Sequence, residues 1–205
     1  MKRDCAVLVL AKAPLPGYAK TRLARAIGIQ AAAELAARML SETVRQAVEA
    51  DIGPVFLCCA PDASHPQFTL ARQRHGVRLS AQGEGDLGQR MWRALERALK
   101  TWPRVLLIGT DAPALDAAHL RQAGAMLRTQ AAVFTPAHDG GYVLAGLAQA
   151  LPSLFQGIAW STPQVMAQTR ARLAALGKVC VEPAPLHDVD DARDLVHIPP
   201  EWLFP

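Results

Sequence analysis

Three cations, Lys12, Lys20 and Arg22, fall within one short stretch, Ala11 to Leu23, reading AKAPLPGYAKTRL. It follows the apolar run Ala6-Val7-Leu8-Val9-Leu10, which has the length and composition of a buried strand. Pro14, Pro16 and Gly17 forbid regular structure after that run, and Thr21 is placed to cap a following helix. A loop between a strand's C-terminal end and a helix N-terminus is where open α/β sheets bind ligands. Free backbone N–H groups and the helix dipole favour anions there. Three added cations predict a ligand with several phosphate charges, and therefore nucleotide chemistry. The bland alternative is three solvated loop side chains. A Walker A loop fails on spacing, because Ala19 rather than Gly precedes Lys20-Thr21 and two prolines remove backbone donors.

The second feature is LLIGTDAP, from Leu106 to Pro113. A fully apolar strand ends in Gly-Thr-Asp, and Pro113 then blocks the ladder. Asp111 is thereby expected at the same sheet edge as the cationic loop. A carboxylate facing phosphates repels them unless a divalent cation stands between, so Mg²⁺ or Mn²⁺ is the expected cofactor. The structural alternative for Asp111 is a turn or cap residue, although Asp116 is the better cap for the helix that follows. A third acidic cluster is His187-Asp188-Val189-Asp190-Asp191. Asp188 and Asp190 alternate in an extended segment, so both are able to face one side and complete a metal site with Asp111. Asp191 remains to cap a short helix over Ala192–Val196, and His187 is either a further ligand or a satisfied polar residue.

His138-Asp139-Gly140-Gly141-Tyr142 separates two strand-like runs. Asp-Gly is a hairpin signal. The same residues would also let backbone approach a substrate at Gly140, Gly141 and Tyr142, while Asp139 presents a carboxylate to an acceptor hydroxyl. QGEGDLGQRM, from Gln82 to Met91, is a Gly-rich entry to a helix that lacks the dinucleotide fingerprint; Asp86 is its cap and Arg90 reaches back toward ligand. Ser161 or Thr162 caps a helix from Pro163, and no Gly-x-Ser-x-Gly elbow supports a serine hydrolase.

The elements that must carry these residues alternate from end to end. Strands are expected over Cys5–Ala11, Val55–Ala60, Val77–Ser80, Arg104–Gly109, Ala131–Pro136, Tyr142–Leu147 and Lys178–Pro183. Helices are expected over Gln30–Glu49, Leu87–Thr101, Ala117–Thr129 and Pro163–Leu176. Such alternation predicts a mostly parallel sheet covered on both faces. With no repeat or linker, the 205 residues read as one α/β domain, 1–205. Hydrophobic content of 51% supports an ordinary core. The net charge of +4 is dispersed and aromatics are 5%, so neither a nucleic-acid arm nor a base-stacking platform is expected. The first apolar run is too short to span a membrane and no signal cleavage site follows it. Four cysteines show neither zinc spacing nor a redox pair, and a cytoplasmic protein is expected.

Taken in order, AKAPLPGYAKTRL, QGEGDLGQRM, LIGTDAPAL, TPAHDGGYVLAGL, WSTPQV and DVDDARDL resemble the DUF2064 family. These are GT-A-like bacterial proteins, some labelled arsenosugar-biosynthesis glycosyltransferases, related to the phospholactate guanylyltransferases. The resemblance implies a three-layer nucleotide-diphospho-sugar transferase fold whose mostly parallel sheet is mixed. It implies that Lys12, Lys20 and Arg22 hold nucleotide phosphates, and that Asp111 with the distal pair Asp188 and Asp190 holds the metal. Pro113 leaves the Asp-x-Asp motif incomplete, and the first loop lacks the Gly-Gly-x-Ser-x-Arg-Met-Gly form. The function expected is a metal-dependent transferase that takes a nucleotide-activated sugar and a small-molecule acceptor. A nucleotidyltransferase joining an NTP to a phosphorylated small molecule, with release of pyrophosphate, is the alternative. A non-catalytic nucleotide-binding module is the third reading.

Overall fold

The computed structural model describes residues 3–203. Its centre is β1, Cys5–Lys12, which is buried along nearly its whole length. Alternate side chains enter opposite cores: Val7, Val9 and Ala11 one, Ala6 and Leu8 the other. An apolar strand buried on both faces is what a covered parallel sheet requires. Around it run β2 (Val55–Ala60), β3 (Arg78–Ala81), β4 (Arg104–Ile108), β5 (Ala132–Pro136) and β6 (Tyr142–Leu147). The six strands lie in the order β3-β2-β1-β4-β6-β5. The first four are parallel, and β6 runs antiparallel to both β4 and β5. The mixed, mostly parallel three-layer α/β/α sheet implied by the family resemblance is therefore present.

Helices α2 (Ile29–Glu49), α3 (Pro66–His75) and α5 (Ala117–Met126) cover one face through Val44, Phe68 and Leu120. Helices α4 (Leu87–Leu99) and α6 (Val165–Ala175) cover the other through Leu95 and Leu173. A small third cluster, Leu23, Leu35, Met39, Val189 and Ile198, pins both the end of the first loop and the distal acidic segment to α2. None of the helices among the described residues is long and apolar enough to cross a membrane.

Several expected features differ. Lys178–Pro183 does not form a strand; only Val181 bridges to Val133, because prolines at 183 and 185 cannot extend a ladder. Thr21 caps nothing: the short α1 (Ala24–Ile27) starts after Leu23 without a side-chain cap. Nor do Ser161 and Thr162 cap α6, which begins after Gln164; the Thr162 hydroxyl instead donates to the Ala159 carbonyl at 2.6 Å. Helix α3 has almost no apolar periodicity and gave no signal; the His65 ring accepts the Gln67 N–H at its start. The caps at Asp86, Asp116 and Asp191 are all formed, each as a reciprocal capping box.

Gly88, in the first turn of α4, sits where no side chain fits. A Cβ there would lie 2.2 Å from the Phe155 carbonyl oxygen and 2.7 Å from the Trp160 indole nitrogen. Gly88→Ala is expected to destabilise the protein by about 1–3 kcal/mol through overpacking. Urea unfolding checks this, since the midpoint should fall while the slope stays constant.

Candidate functional site

Because β1 and β4 are parallel neighbours, the residues following both emerge at one sheet edge. Beyond β1, buried Ala13, Ala19 and Leu23 anchor an irregular loop in which Tyr18 and Ala19 bond back to the Leu15 carbonyl. Lys20 adopts a left-handed backbone (φ 52°), uncommon for a residue with a side chain. Its ammonium group, on a side chain only 6% exposed, donates to the Asp111 carboxylate. It also donates to the Val189 carbonyl at 2.6 Å. The Val189 N–H in turn donates to the Asp111 carbonyl at 2.8 Å. Three segments remote in sequence are thereby laced together. Arg22 pairs with Asp190 at 2.8 Å, on the solvent side.

Arg90 is presented by α4, where its guanidinium donates to the Gln82 side-chain carbonyl at 3.2 Å. Gln82 is buried at the end of β3, and its amide donates to the carbonyls of Ala11 (3.1 Å) and Cys58 (2.9 Å). It closes the ends of β1 and β2 while aiming Arg90. Lys12 sits with its ammonium 5.9 Å from the Tyr18 ring centroid. Neither Lys12 nor Arg90 has a carboxylate partner among the described residues.

The hairpin loop between β5 and β6 reaches the same edge. The Asp139 carboxylate accepts the Gly141 N–H at 2.8 Å, and Gly140 takes φ +93°, so the hairpin reading and the presentation of a carboxylate coexist. A Cβ at Gly140 would lie 2.3 Å from the Pro163 carbonyl oxygen, so that glycine fastens the loop to the segment before α6. Tyr142 packs edge-on against Phe134 (5.0 Å) and Trp160 (6.5 Å), and burial pushes its phenol up.

A cleft of about 550 Å³ opens between these groups. It is lined by Lys12, Lys20, Arg22 and Arg90, by Asp111, Asp139, Asp188 and Asp190, and by Gly141 and Tyr142. Of the expected site residues Gly140 alone does not line it. Gln82, Tyr18 and Trp160 line it as well and were not singled out from sequence. Position at the C-terminal sheet edge was the available signal for Gln82, and proximity to Ser161-Thr162 that for Trp160. His187 points to no metal arrangement; its ring stacks between His138 (3.9 Å) and His197 (3.6 Å).

Hard carboxylate oxygens from Asp111, Asp188 and Asp190 are the donor type that Mg²⁺ and Mn²⁺ prefer. Among the described residues, no three acidic, His or Cys groups already converge as a metal cage. Lys20 and Arg22 hold two of the three carboxylates. The third, Asp188, is crowded by negative charge. Its carboxyl is pushed up from 3.8 to about 6, chiefly by burial, then by Asp139 and less by Asp190 and Asp111. A divalent cation offsets both the burial and the like charge at such a carboxylate, so the donor chemistry fits one.

That shift has a stability consequence. Between about pH 4 and 6 the unfolded chain has released the Asp188 proton while the folded protein retains it, so stability falls as pH rises through this window. In EDTA, wild type should lose about 1–2 kcal/mol across it relative to Asp188→Asn, after allowance for partial exposure. Paired urea titrations at pH 4.5 and 6.5 measure the difference. Parallel curves for the two proteins would show that Asp188 is not perturbed.

The chain has counterparts among solved structures. It matches a crystal structure from Desulfovibrio desulfuricans G20, provisionally named a nucleotide-diphospho-sugar transferase, at 29% identity and TM-score 0.84, over 93% of this chain and 84% of that one. A nucleotidyl transferase from Methanothermobacter shares the fold at 15% identity and TM-score 0.68, over 98% of both chains. Glucosyl-3-phosphoglycerate synthase from Mycobacterium tuberculosis, solved with Mn²⁺, UDP and glucosyl-3-phosphoglycerate, shares it at 13% identity and TM-score 0.50, over 95% of this chain and 75% of that one. No curated protein matches. Residues 43–162 match the family described as "Uncharacterized protein conserved in bacteria (DUF2064)", and the chain belongs to that family.

Proposed function

We propose that the protein is a nucleotide-utilising transferase that moves a sugar from a nucleoside-diphosphate sugar to a hydroxyl of a small acceptor. The observation that carries this reading is the cleft itself, in which cations from β1's loop and α4 share one sheet edge with the carboxylates following β4 and Leu186. The 29% identical relative named for nucleotide-diphospho-sugar transfer supports it. On this reading the chain acts as one GT-A-like domain in the cytoplasm.

Lys12, Lys20, Arg22 and Arg90 take the donor's phosphates, and Asp111, Asp188 and Asp190 hold Mg²⁺ or Mn²⁺. When bound, the divalent cation neutralises charge developing on the departing diphosphate. Preorganised cations do the same from the protein side, without reorganisation at the moment of reaction. Asp139, held by the Gly141 N–H, accepts a hydrogen bond from the acceptor hydroxyl and orients it. Tyr142 and Trp160 supply an aromatic wall that excludes water from that end.

A second reading draws on Lys12 and Arg90, which lack carboxylate partners among the described residues. Two such cations beside Lys20 suit a triphosphate, and hence nucleotidyl transfer with release of pyrophosphate. A thermal-shift panel of NDP-sugars, NDPs and NTPs, each with Mn²⁺, Mg²⁺ or EDTA, separates the two. A ligand at ~100 times its dissociation constant stabilises by about 2.7 kcal/mol. Metal-dependent stabilisation should be strongest with one NDP-sugar; preference for an NTP selects the second reading, and no shift with any nucleotide defeats both. Once a substrate pair is found, Asp111→Asn should lower kcat on the order of 10²–10³-fold while the protein stays folded. Retained turnover would remove Asp111 from the site.

A further inference from the structure

Two of the carboxylates proposed to bind metal and two of the cations proposed to bind phosphate are each other's counter-ions. Asp111 holds the Lys20 ammonium and Asp190 holds the Arg22 guanidinium. The Lys20 pair is the consequential one, because its ammonium sits on a side chain only 6% exposed, while the Asp111 side chain is 50% exposed and open to the cleft. A second bond to the Val189 carbonyl, 2.6 Å, helps to hold the ammonium beside a left-handed backbone at φ 52°.

Consider what each ligand meets alone. A divalent cation arriving at Asp111 finds a buried ammonium on the same carboxylate, so it must expel that charge or sit beside it. A diphosphate drawing Lys20 away leaves Asp111 without that partner, facing the incoming anion in a cleft that Asp188 also lines. Leaving the buried Lys20 ammonium without an anionic partner is strongly unfavourable, while the half-exposed Asp111 carboxylate is left to repel the incoming anion. Simultaneous arrival avoids both penalties, because every charge changes partner and none is left alone.

We propose that Lys20, assisted by Arg22, is the resident counter-ion of the metal carboxylates, and that donor and divalent cation bind by exchange of ion-pair partners, each weakly alone and cooperatively together. This rests on the nucleotide-transferase reading above. Thermodynamic linkage requires the coupling to be reciprocal: the factor by which nucleotide tightens metal equals the factor by which metal tightens nucleotide. The expected factor is at least 10, within the range of ~5–150 common for coupled sites.

The test uses the full chain and follows free Mn²⁺ by electron paramagnetic resonance, first with Mn²⁺ alone and then with UDP, GDP, CDP, ADP or dTDP. In the wild type, one nucleoside diphosphate should tighten Mn²⁺ at least 10-fold, and Mn²⁺ should tighten that nucleotide equally by calorimetry. In Lys20→Gln, Mn²⁺ alone should bind about 10-fold more tightly than to wild type, with the coupling largely gone. Lys12→Gln removes the same charge from the cleft without touching a carboxylate, and should change Mn²⁺ affinity less than 3-fold. Equal Mn²⁺ affinity in wild type and Lys20→Gln, including no binding by either, overturns the proposal, as does an equal gain in Lys12→Gln. If Lys20→Gln does not fold by circular dichroism, the wild-type coupling decides: a nucleotide that binds without altering Mn²⁺ affinity overturns it. Failure of every nucleotide to bind defeats the transferase reading instead, and the comparison with Mn²⁺ alone still judges Lys20.

Discussion

The ammonium group of Lys20 is the point on which the site depends. It joins a loop following β1, the tip following β4 and a segment near the C-terminus, through the Asp111 carboxylate and the Val189 carbonyl. The Val189 N–H completes the lacing by donating to the Asp111 carbonyl. None of these segments is a regular element. They hold a shape because Leu23 and Val189 are both sealed in the same small apolar cluster against α2. Apolar burial supplies the stability there, and the ion pair selects one arrangement. The pair is buried at its Lys20 end and half-exposed at Asp111, so losing the carboxylate leaves an ammonium without a counter-charge where water reaches it poorly.

Much of this was legible in the sequence, for a physical reason. A covered parallel sheet makes its central strands continuously apolar, so β1 and β4 stand out, and whatever follows them falls at one edge. Lys12, Lys20, Arg22 and Asp111 were located by that rule alone. The three acidic caps were readable because a cap is a local device, needing only a short polar side chain and the N–H groups that follow it. What stayed hidden depends on tertiary context. The Lys20–Asp111 pair spans 91 residues, and no periodicity encodes it. Gln82 reads as an ordinary loop residue until β1 and β2 bring two carbonyls to its amide. The failed expectation at Lys178–Pro183 shows the converse: a short strand-like run beside β5 forms only a single bridge to Val133 because the prolines at 183 and 185 stop its ladder.

The direction of β6 determines what the carboxylate-rich half of the cleft can contain. Four parallel strands deliver only the loops after their C-terminal ends to the ligand edge. β6 pairs antiparallel with β4, Leu144 lying opposite Ile108, so it is the beginning of β6 that meets the end of β4. A hairpin with a short loop must produce this direction, because a parallel return needs a crossover of a dozen or more residues. Asp139, Gly141 and Tyr142 reach the cleft for that reason, and a parallel β6 would carry them to the opposite edge. Gly140 then fixes the loop's height, since its missing Cβ lets the backbone rest on Pro163 beside Trp160. The acceptor end of the proposed reaction is thus set by one reversal of strand direction and one absent side chain. The cationic end is set by the segments that follow the parallel strands β1 and β3.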